Sequence, residues 1–379
     1  MFLQRGSFKL IEQGKSYETK DFSYSKEPSL KGYVELSGTG HNPQQNPVAQ
    51  MLQAIVDGIS ANIPVIFNRN DQTINFDGLP KEFCIGLFTS GTTGPAKLVF
   101  HFLHDLMPNN KRKTETASCW LLCYHPMSYA GLQVILQAIA ANDVLVVDVN
   151  ANVKQKAQLA ITQQVNALSA TPSFMRALLL CWQKIKPVIH LVSLGGEIAD
   201  QATLDAVKES FPDAALRHIY ATTESGVVFS VKDERAGFPK KWLQESFNGW
   251  NIQVKDTLIL VKNSCHIDTG DCVAVIEDRV LFTGRKDNIV NVGGAKVNLE
   301  DIERQLIMLE YVKDARVFVK ANPITGVLVC AEVCTAETES AKQAINSFCQ
   351  QLAAEARPRI ITYCEQLTLT PAGKKQRCL

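Results

Sequence analysis

The feature of this sequence that most limits its fold is an alternation of short apolar runs with amphipathic stretches between about residues 84 and 230. The apolar runs have the length of buried strands, and the amphipathic stretches repeat apolar residues at helical spacing. Strands that alternate with helices indicate a parallel α/β core, in which ligands bind where the strands end. The predicted strands are 84–88, 98–100, 120–124, 144–147, 188–192 and 216–220, and the predicted helices are 132–141, 154–164 and 201–210.

The pattern changes after residue 230. Segments 254–261 and 273–282 read as antiparallel strands with turns between them. From residue 287 onward a turn, a helix at 299–309, strands at 315–319 and 326–333, and a helix at 339–356 follow. We therefore predict an α/β protein with two domains. A large N-terminal α/β domain, 1–284, has a parallel sheet core and a β subdomain, and a small mobile α+β domain covers 285–379.

Composition excludes several classes of function. The 379 residues carry 39 Lys and Arg against 38 Asp and Glu, a balance that argues against a nucleic-acid partner. Eleven cysteines are scattered without zinc-site spacing, which favours a reducing compartment. The N-terminus lacks the apolar core of a signal peptide, and no apolar run has the length of a membrane span. The sequence therefore predicts a soluble, cytoplasmic protein.

A segment rich in glycine and hydroxyl residues follows the first predicted strand of the core. It reads Thr89-Ser90-Gly91-Thr92-Thr93-Gly94-Pro95-Ala96-Lys97. Its glycines let backbone N–H groups approach an anion, its hydroxyls add donors, and Lys97 adds a cation for phosphate oxygens. The glycine spacing is not that of a Walker A loop. The segment predicts a phosphate-binding loop, and the alternative is a polar turn between two strands.

Five further motifs follow in order along the chain. They are Leu194-Gly195-Gly196-Glu197, Tyr220-Ala221-Thr222-Thr223-Glu224, Thr269-Gly270-Asp271, Gly284-Arg285-Lys286-Asp287 and Gly373-Lys374-Lys375-Gln376-Arg377. This series resembles the adenylate-forming superfamily, which includes acyl- and aryl-CoA synthetases, peptide-synthetase adenylation domains and beetle luciferases. The resemblance covers roughly residues 84 to 377. Several separated motifs in one order are far more specific than any single motif.

The resemblance implies that the chain uses ATP and Mg²⁺ to activate a small carboxylic acid as an acyl-AMP. The acyl group then passes to the thiol of CoA or of a carrier-protein phosphopantetheine. Glu224 is the implied ligand of Mg²⁺, which takes few protein carboxylates beside phosphate oxygens. The implied ATP-binding residues are Thr89, Ser90, Gly91, Thr92, Thr93, Gly94, Lys97, Gly195, Gly196, Glu197, Tyr220, Ala221, Thr222, Thr223, Asp271 and Arg285.

Physical roles can be given to the central residues of these motifs. The Gly195-Gly196 turn would pack against the adenine face, where a Cβ would intrude, and Tyr220 would stack on the same base. The Asp271 carboxylate would accept the ribose hydroxyls. Lys374 is the predicted catalytic residue, because a cation between the carboxylate and the α-phosphate orients both and stabilises the charge that develops. The alternatives are an ordinary β-turn for Gly195-Gly196-Glu197, core packing for Tyr220, a polar turn for Asp271, and a solvated basic tail for Lys374, Lys375 and Arg377.

A change of domain arrangement between two half-reactions is also implied by the resemblance. Asp287 matches the hinge of the small domain, at an element end where hinges usually lie. Gly293 and Gly294 would let a narrow pantetheine arm pass close to the backbone, and their alternative is a tight turn. Lys296, Arg304 and Lys313 are candidates for binding the nucleotide end of CoA.

The sequence departs from the superfamily at three points. The first subdomain, about residues 1–80, is shortened. Ala221 stands where glycine is usual, and Ser128 or Tyr129 stands where a histidine is usual. Segment 124–131, which contains Ser128 and Tyr129, also lacks the aspartate that binds the α-amino group in amino-acid-activating members of the superfamily. This difference favours an aryl, keto or aliphatic acid as the substrate. We expect an acid–CoA ligase, with a carrier-protein loader and a non-catalytic nucleotide-binding relic as alternatives. The acid, the pathway and the presence of a homodimer stay open.

Overall fold

The computed structural model describes residues 7–22, 32–37, 46–69, 71–75, 78–89, 96–108, 117–182, 185–323, 326–335, 339–370 and 373–375. The chain divides into two compact units. Unit 1 contains residues 1–170, 185–192 and 222–226, and unit 2 contains residues 171–184, 193–221 and 227–379.

The elements of unit 1 follow the predicted alternation of strands and helices. In chain order they are β1 (Lys9–Glu12), β2 (Lys15–Glu18), β3 (Val34–Ser37), α1 (Pro47–Ala61), β4 (Val65–Asn68), β5 (Ile85–Phe88), β6 (Leu98–His101), α2 (Leu103–Leu106), β7 (Cys119–Leu122), α3 (Tyr129–Ala141), β8 (Val144–Val147), α4 (Val153–Thr162) and β9 (Ala167–Ala170).

Two runs of hydrogen-bonded strands organise unit 1. One has the order β9-β7-β8-β1-β2, in which only the β1–β2 pair is antiparallel. The other has the order β3-β4-β5-β6, in which only the β5–β6 pair is antiparallel. Leu145, Val146 and Val147 of β8 are buried, as a strand covered on both faces requires. The predicted parallel sheet core is confirmed.

Unit 2 contains the elements that follow β9. They are α5 (Pro172–Cys181), β10 (Leu191–Gly195), α6 (Gln201–Ser210), β11 (Ala215–Thr222), β12 (Gly226–Val231), β13 (Phe238–Pro239), β14 (Ser246–Phe247), β15 (Trp250–Val254), β16 (Leu258–Lys262), β17 (Cys265–Asp268), β18 (Asp271–Ile276), β19 (Arg279–Arg285), β20 (Ile289–Val292), β21 (Ala295–Asn298), α7 (Leu299–Ile307), β22 (Asp314–Asn322), β23 (Gly326–Cys334), α8 (Glu339–Gln351) and β24 (Ile360–Cys364). A few end residues of β10, β11 and β12 are grouped with unit 1.

The strands of unit 2 form several small sheets. Strand β11 lies between β10 and β12, and the antiparallel sets β13-β19-β18 and β14-β15-β16-β17 follow. Near the C-terminus, β22 pairs with β23 in antiparallel fashion, and β23 pairs with β24 in parallel fashion. The apolar face of α7, with Leu299, Ile302 and Leu306, packs in the same core as Val317 and Val329. This last group is the predicted C-terminal α+β fold.

The structure refines two predicted regions. Segment 254–261 divides into β15 and β16, and segment 273–282 divides into β18 and β19, with Glu277 of the intervening turn at a positive φ of 51°. The last predicted helix ends at Gln351 rather than at residue 356. At this end the Leu352 N–H donates to the Cys349 carbonyl at 3.3 Å, a bond over three residues of the kind that tightens the last turn of a helix.

Two further predictions concern the whole chain. The boundary between residues 284 and 285 stays a prediction, since the two compact units divide the chain at other points. Among the described residues, no helix is both long and apolar enough to cross a membrane.

Candidate active site

The centre of the predicted phosphate loop, Ser90, Gly91, Thr92, Thr93, Gly94 and Pro95, lies outside the described residues. The two ends of the loop are joined by hydrogen bonds where it connects β5 to β6. The Thr89 N–H donates to the Lys97 carbonyl at 2.8 Å, and the Lys97 N–H donates to the Thr89 hydroxyl oxygen at 3.0 Å. The Lys97 side chain is exposed. The loop ends are thus fixed as a hairpin.

The motif that follows β11 forms a compact turn in unit 1. The Thr222 hydroxyl accepts from the Ser225 N–H at 3.0 Å and lies 3.0 Å from the Ser225 hydroxyl. The Thr223 backbone bonds His101, whose ring lies 5.4 Å from the Tyr129 ring. Burial lowers the pKa of His101, against the opposing effect of that backbone bond, so the imidazole is neutral near pH 7.

Sequence reasoning missed His101. Its Nε2 is buried and has no hydrogen-bond partner among the residues that the structure describes. A buried nitrogen in this state is rare, because buried polar atoms usually find a partner. The only signal in the sequence is a histidine at the end of an otherwise apolar strand.

Glu224 is the exposed carboxylate of the same turn. No group of three or more His, Cys, Asp or Glu side chains that could hold a metal occurs among the described residues. The donor chemistry of Glu224 suits Mg²⁺ of the kind bound with nucleotides, which takes one or two protein carboxylates and completes its shell with phosphate oxygens and water. Its role as the metal ligand stays a prediction.

Replacing Glu224 by glutamine tests that role. We expect the Mg²⁺ concentration for half-maximal ATP–pyrophosphate exchange to rise about tenfold, as loss of a group that binds or orients a metal typically does. Glu355→Gln is the matched control, because Glu355 is also exposed. A magnesium titration that is the same for Glu224→Gln and for the wild type would remove Glu224 from this role.

A chain of side-chain contacts in unit 2 joins three of the predicted nucleotide-binding residues. The Tyr220 hydroxyl donates to Asp271 Oδ2 at 2.6 Å, and Arg285 Nη1 donates to Asp271 Oδ1 at 2.9 Å. Arg285 Nη2 also donates to Asp287 at 3.2 Å. Each carboxylate oxygen of Asp271 accepts one of these bonds and keeps a further acceptor position for a ligand hydroxyl.

The Tyr220 ring lies in an aromatic cluster. It stacks on Phe229 with ring centroids 5.1 Å apart and on Phe282 at 5.2 Å. Burial, and then the Asp271 carboxylate, raise the pKa of Tyr220, so its hydroxyl stays protonated and acts as a donor. These contacts match the alternative of core packing, and adenine stacking by Tyr220 stays a prediction.

The Gly195-Gly196-Glu197 motif ends β10. Gly196 has a positive φ of 81°, which favours glycine, and Ala221 lies inside β11. The Glu197 carboxylate accepts from the Ser173 N–H of α5 at 3.1 Å and from the Lys375 N–H at 3.3 Å. Glu197 therefore connects the start of α5 to the C-terminal segment, a role that the sequence did not indicate.

Gly293 and Gly294 form the turn between β20 and β21, where Val292 pairs with Ala295. Both have positive φ, 58° and 97°, as a two-residue hairpin turn requires. The turn alone thus accounts for both glycines, and passage of a pantetheine arm stays a prediction. Asp287, the predicted hinge, lies in the 3-10 turn Lys286–Asn288 between β19 and β20.

The C-terminal segment that carries Lys374 is fixed by a tight turn. The Gly373 N–H donates to the Thr370 carbonyl at 2.8 Å, and the Thr370 N–H donates to the Lys374 carbonyl at 2.8 Å. Lys374 is half-buried, whereas Gly373 and Lys375 on either side are buried. The alternative of a solvated basic tail is therefore wrong for Lys375.

Motifs rich in glycine and hydroxyl residues end or follow strands β5, β10 and β11, as is typical of an α/β protein that binds nucleotides. The chain belongs to the family of AMP-binding enzymes, which matches residues 37–258, more than half of its length. The adenylate-forming superfamily predicted from the motifs is confirmed, and so is the predicted α/β fold.

Two curated relatives and one solved structure illustrate the similarity. A 3,4-dihydroxybenzoate–[aryl-carrier protein] ligase of Bacillus anthracis is 23% identical over 72% of this chain and 68% of its own. A D-alanine–D-alanyl carrier protein ligase of Staphylococcus aureus is 25% identical over 77% of this chain and 69% of its own. The o-succinylbenzoate coenzyme A synthetase of Bacillus subtilis, in complex with ATP and magnesium ion, superimposes with a TM-score of 0.63 at 13% identity, over 97% of this chain and 95% of its own.

Proposed function

We propose that this enzyme activates a carboxylic acid with ATP and Mg²⁺ and transfers the acyl group to the thiol of CoA. The observation that carries the proposal is the Asp271 carboxylate, held between Tyr220 and Arg285 in a chain of the AMP-binding family. Fixed by two donors, this carboxylate is pre-organised to accept the hydroxyls of a ribose. The complex of a structural relative with ATP and magnesium ion supports the choice of nucleotide and metal.

Two half-reactions make up the proposed activity. In the adenylation half-reaction, a carboxylate oxygen attacks the α-phosphorus of ATP, an acyl-AMP forms and pyrophosphate leaves. Lys374 supplies the cation for the negative charge that gathers on the α-phosphoryl oxygens. In the transfer half-reaction, the thiol sulfur attacks the acyl carbonyl, a thioester forms and AMP leaves.

The charge of the C-terminal region supports CoA as the acceptor. Lys296 and Lys313 are exposed and have no ion-pair partner among the described residues, so both are available for the phosphates of CoA. Arg304 is less available, since it donates to Asp301 at 2.6 Å and to the Phe282 carbonyl at 3.2 Å.

A carrier-protein phosphopantetheine is the second candidate acceptor. It is favoured by the names of the two curated relatives, both of which are carrier-protein ligases. The two acceptors share the pantetheine thiol and differ in what is attached to it. The chemistry of the transfer half-reaction is the same for both.

The residues before α3 favour an aryl, keto or aliphatic acid over an α-amino acid. Ser128 caps α3 by accepting from the Gly131 N–H at 3.1 Å, and it donates to the His125 carbonyl at 2.7 Å. Its hydroxyl is thus used within the protein. No carboxylate occurs in segment 124–131 to hold an ammonium group. The relative that acts on 3,4-dihydroxybenzoate supports an aryl acid in particular.

A direct assay separates the two acceptors. The enzyme, ATP, Mg²⁺ and the acid that supports exchange are incubated with CoA in one reaction and with phosphopantetheinylated aryl carrier protein in another. AMP release and thioester mass are then measured. A CoA thioester supports the proposal, a product on the carrier protein alone supports the second candidate, and acyl-AMP that accumulates with both thiols would contradict acid–thiol ligation.

The proposed hinge at Asp287 makes a separate prediction. Proline at this position fixes φ, so Asp287→Pro should slow the transfer half-reaction at least tenfold and change adenylation much less. The two half-reactions are measured by AMP release from supplied acyl-AMP and by ATP–pyrophosphate exchange. Asp287→Ala, which also removes the bond to Arg285, is the control for loss of the side chain. Equal rates for wild type and Asp287→Pro in both assays would show that the hinge lies elsewhere.

A further inference from the structure

We infer that Lys375 is a positioning residue, whose buried ammonium group anchors the C-terminal segment to Glu303 and Asp314 and so sets the place of Lys374. The inference rests on the proposed function, in which Lys374 serves the adenylation half-reaction. It concerns a lysine that would be exposed under the alternative of a solvated basic tail.

The Lys375 side chain is fully buried, with 0% exposure. Its Nζ donates to Asp314 Oδ1 at 2.7 Å, to Glu303 Oε1 at 3.0 Å, and to the carbonyl of Ala315. An ammonium group has three N–H donors, and these three acceptors use all of them. A buried charge is tolerated when it is paired and fully hydrogen-bonded in this way.

Each of the two acids has a further contact besides the one to Lys375. Glu303 lies on the apolar face of α7, and its second oxygen accepts from the Val317 N–H at 3.1 Å. Asp314 Oδ1 accepts from Arg176 Nε at 3.0 Å. Burial raises the pKa of Asp314, but Arg176 and Lys375 outweigh burial and hold that pKa below its ordinary value. The two acids, with Arg176 beside Asp314, therefore form a buried receptor for the Lys375 ammonium group.

Backbone contacts fix the residues on both sides of Lys374. The Thr171 hydroxyl donates to the Gly373 carbonyl, and the Lys375 N–H donates to Glu197. Gly373 has a positive φ of 72°, and a Cβ there would meet Thr171 Oγ1 at 3.3 Å. Within the turn, the Lys374 N–H donates to the Thr370 hydroxyl at 3.1 Å.

The receptor formed by Glu303 and Asp314 does not by itself distinguish Lys375 from its neighbour Lys374. A shift of the segment by one residue would place Lys374 against Glu303 and Asp314 and would carry Lys375 out of the interior. Because a lysine fits the receptor in either register, the contacts of Gly373 with Thr171 are needed to select the observed one. An apolar residue at position 375 would fill the same volume, but the end of its side chain would make no hydrogen bond. The carboxylates of Glu303 and Asp314 would then lose the cation that they share.

Replacing Lys375 by methionine tests the inference. Small misplacement of a catalytic group costs about 10²-fold in rate, so we expect exchange to fall about 10²-fold. Transfer from supplied acyl-AMP should change less than about twofold, since Lys374 is not assigned to that step. Lys375→Arg keeps a cation at the acids and should recover part of the exchange activity. Lys255→Met is the matched control, because Lys255 is an exposed lysine in the turn between β15 and β16.

A second variant separates positioning from folding, since unpaired buried acids destabilise a protein. Lys375→Met combined with Glu303→Gln removes one acid together with the cation, while Arg176 still pairs with Asp314. We expect this double variant to keep a cooperative thermal transition and to remain defective in exchange.

The relative rates of exchange and transfer in these variants decide for or against the inference. Exchange that falls while transfer is retained, in the single or in the double variant, supports the inference. Wild-type exchange in Lys375→Met, or an equal loss of both half-reactions in a folded double variant, would overturn it and leave the proposed function standing. Absence of acid-dependent exchange in the wild-type enzyme would overturn the proposed function, and the inference with it.

Discussion

Replacing Lys374 by alanine should lower the rate of ATP–pyrophosphate exchange by roughly 10²–10³-fold, the cost of removing one electrostatic contact to a transition state. The reason is that the carboxylate and the triphosphate repel each other, and the ammonium group between them stabilises the charge on the α-phosphoryl oxygens. Transfer from supplied acyl-AMP should proceed at close to the wild-type rate, because that charge does not develop in the second half-reaction.

The contacts of the segment that carries Lys374 allow a loss of catalysis to be distinguished from a loss of local structure. The turn bonds between Thr370 and Gly373 and the buried anchor at Lys375 are made by atoms outside the Lys374 side chain, so these contacts remain in Lys374→Ala. Lys255→Ala, at an exposed lysine, controls for loss of a positive charge. If Lys374→Ala slowed both half-reactions to the same extent, Lys374 would not be the catalytic residue.

Replacing Asp271 by asparagine should weaken ATP binding by roughly 10- to 100-fold. A hydrogen bond to a charged group contributes about 1.5–3 kcal/mol, and each 1.4 kcal/mol corresponds to a factor of ten. The substitution keeps the shape of the side chain but removes the charge that faces Arg285 and the acceptor that receives the Tyr220 hydroxyl. The dissociation constant from calorimetry and the KM for ATP should rise together.

The matched control is Asp256→Asn, at an exposed aspartate in the turn between β15 and β16. A melting temperature near that of the wild type would show that the Asp271→Asn protein is folded. An unchanged dissociation constant for ATP in a folded Asp271→Asn variant would mean that Asp271 serves the Tyr220–Arg285 contact and does not bind the nucleotide.

Much of the fold could be predicted from the sequence, because the apolar residues of most predicted strands and helices are the ones that are buried in the structure. The run Val144–Val147 is apolar throughout, and it is a strand in a parallel sheet. The helix that begins at Leu299 repeats apolar residues at helical spacing, and those residues are buried. The phosphate loop was predicted from its glycines and hydroxyl residues after an apolar strand, and the other motifs from the resemblance of their order to that of the adenylate-forming superfamily.

The parts that could not be predicted depend on contacts between residues far apart in the chain. Lys375 looks like part of a basic tail, and its burial depends on Asp314, 61 positions earlier. Two signals were available: Glu303 on the apolar face of α7 and Arg176 within the apolar helix α5. A charged residue at a core position requires a buried partner, but nothing in the sequence says which partner it has.

The central claim is that this enzyme forms an acyl-AMP, and ATP–pyrophosphate exchange tests it most directly. Labelled pyrophosphate is supplied with ATP, Mg²⁺ and a panel of aryl, keto, fatty and amino acids, one at a time, and label in ATP is measured. We predict exchange that depends on the acid and is highest for one class, with α-amino acids inactive. If calorimetry shows that ATP binds but no acid supports exchange, the claim is contradicted, and the chain is better described as a nucleotide-binding protein without catalysis.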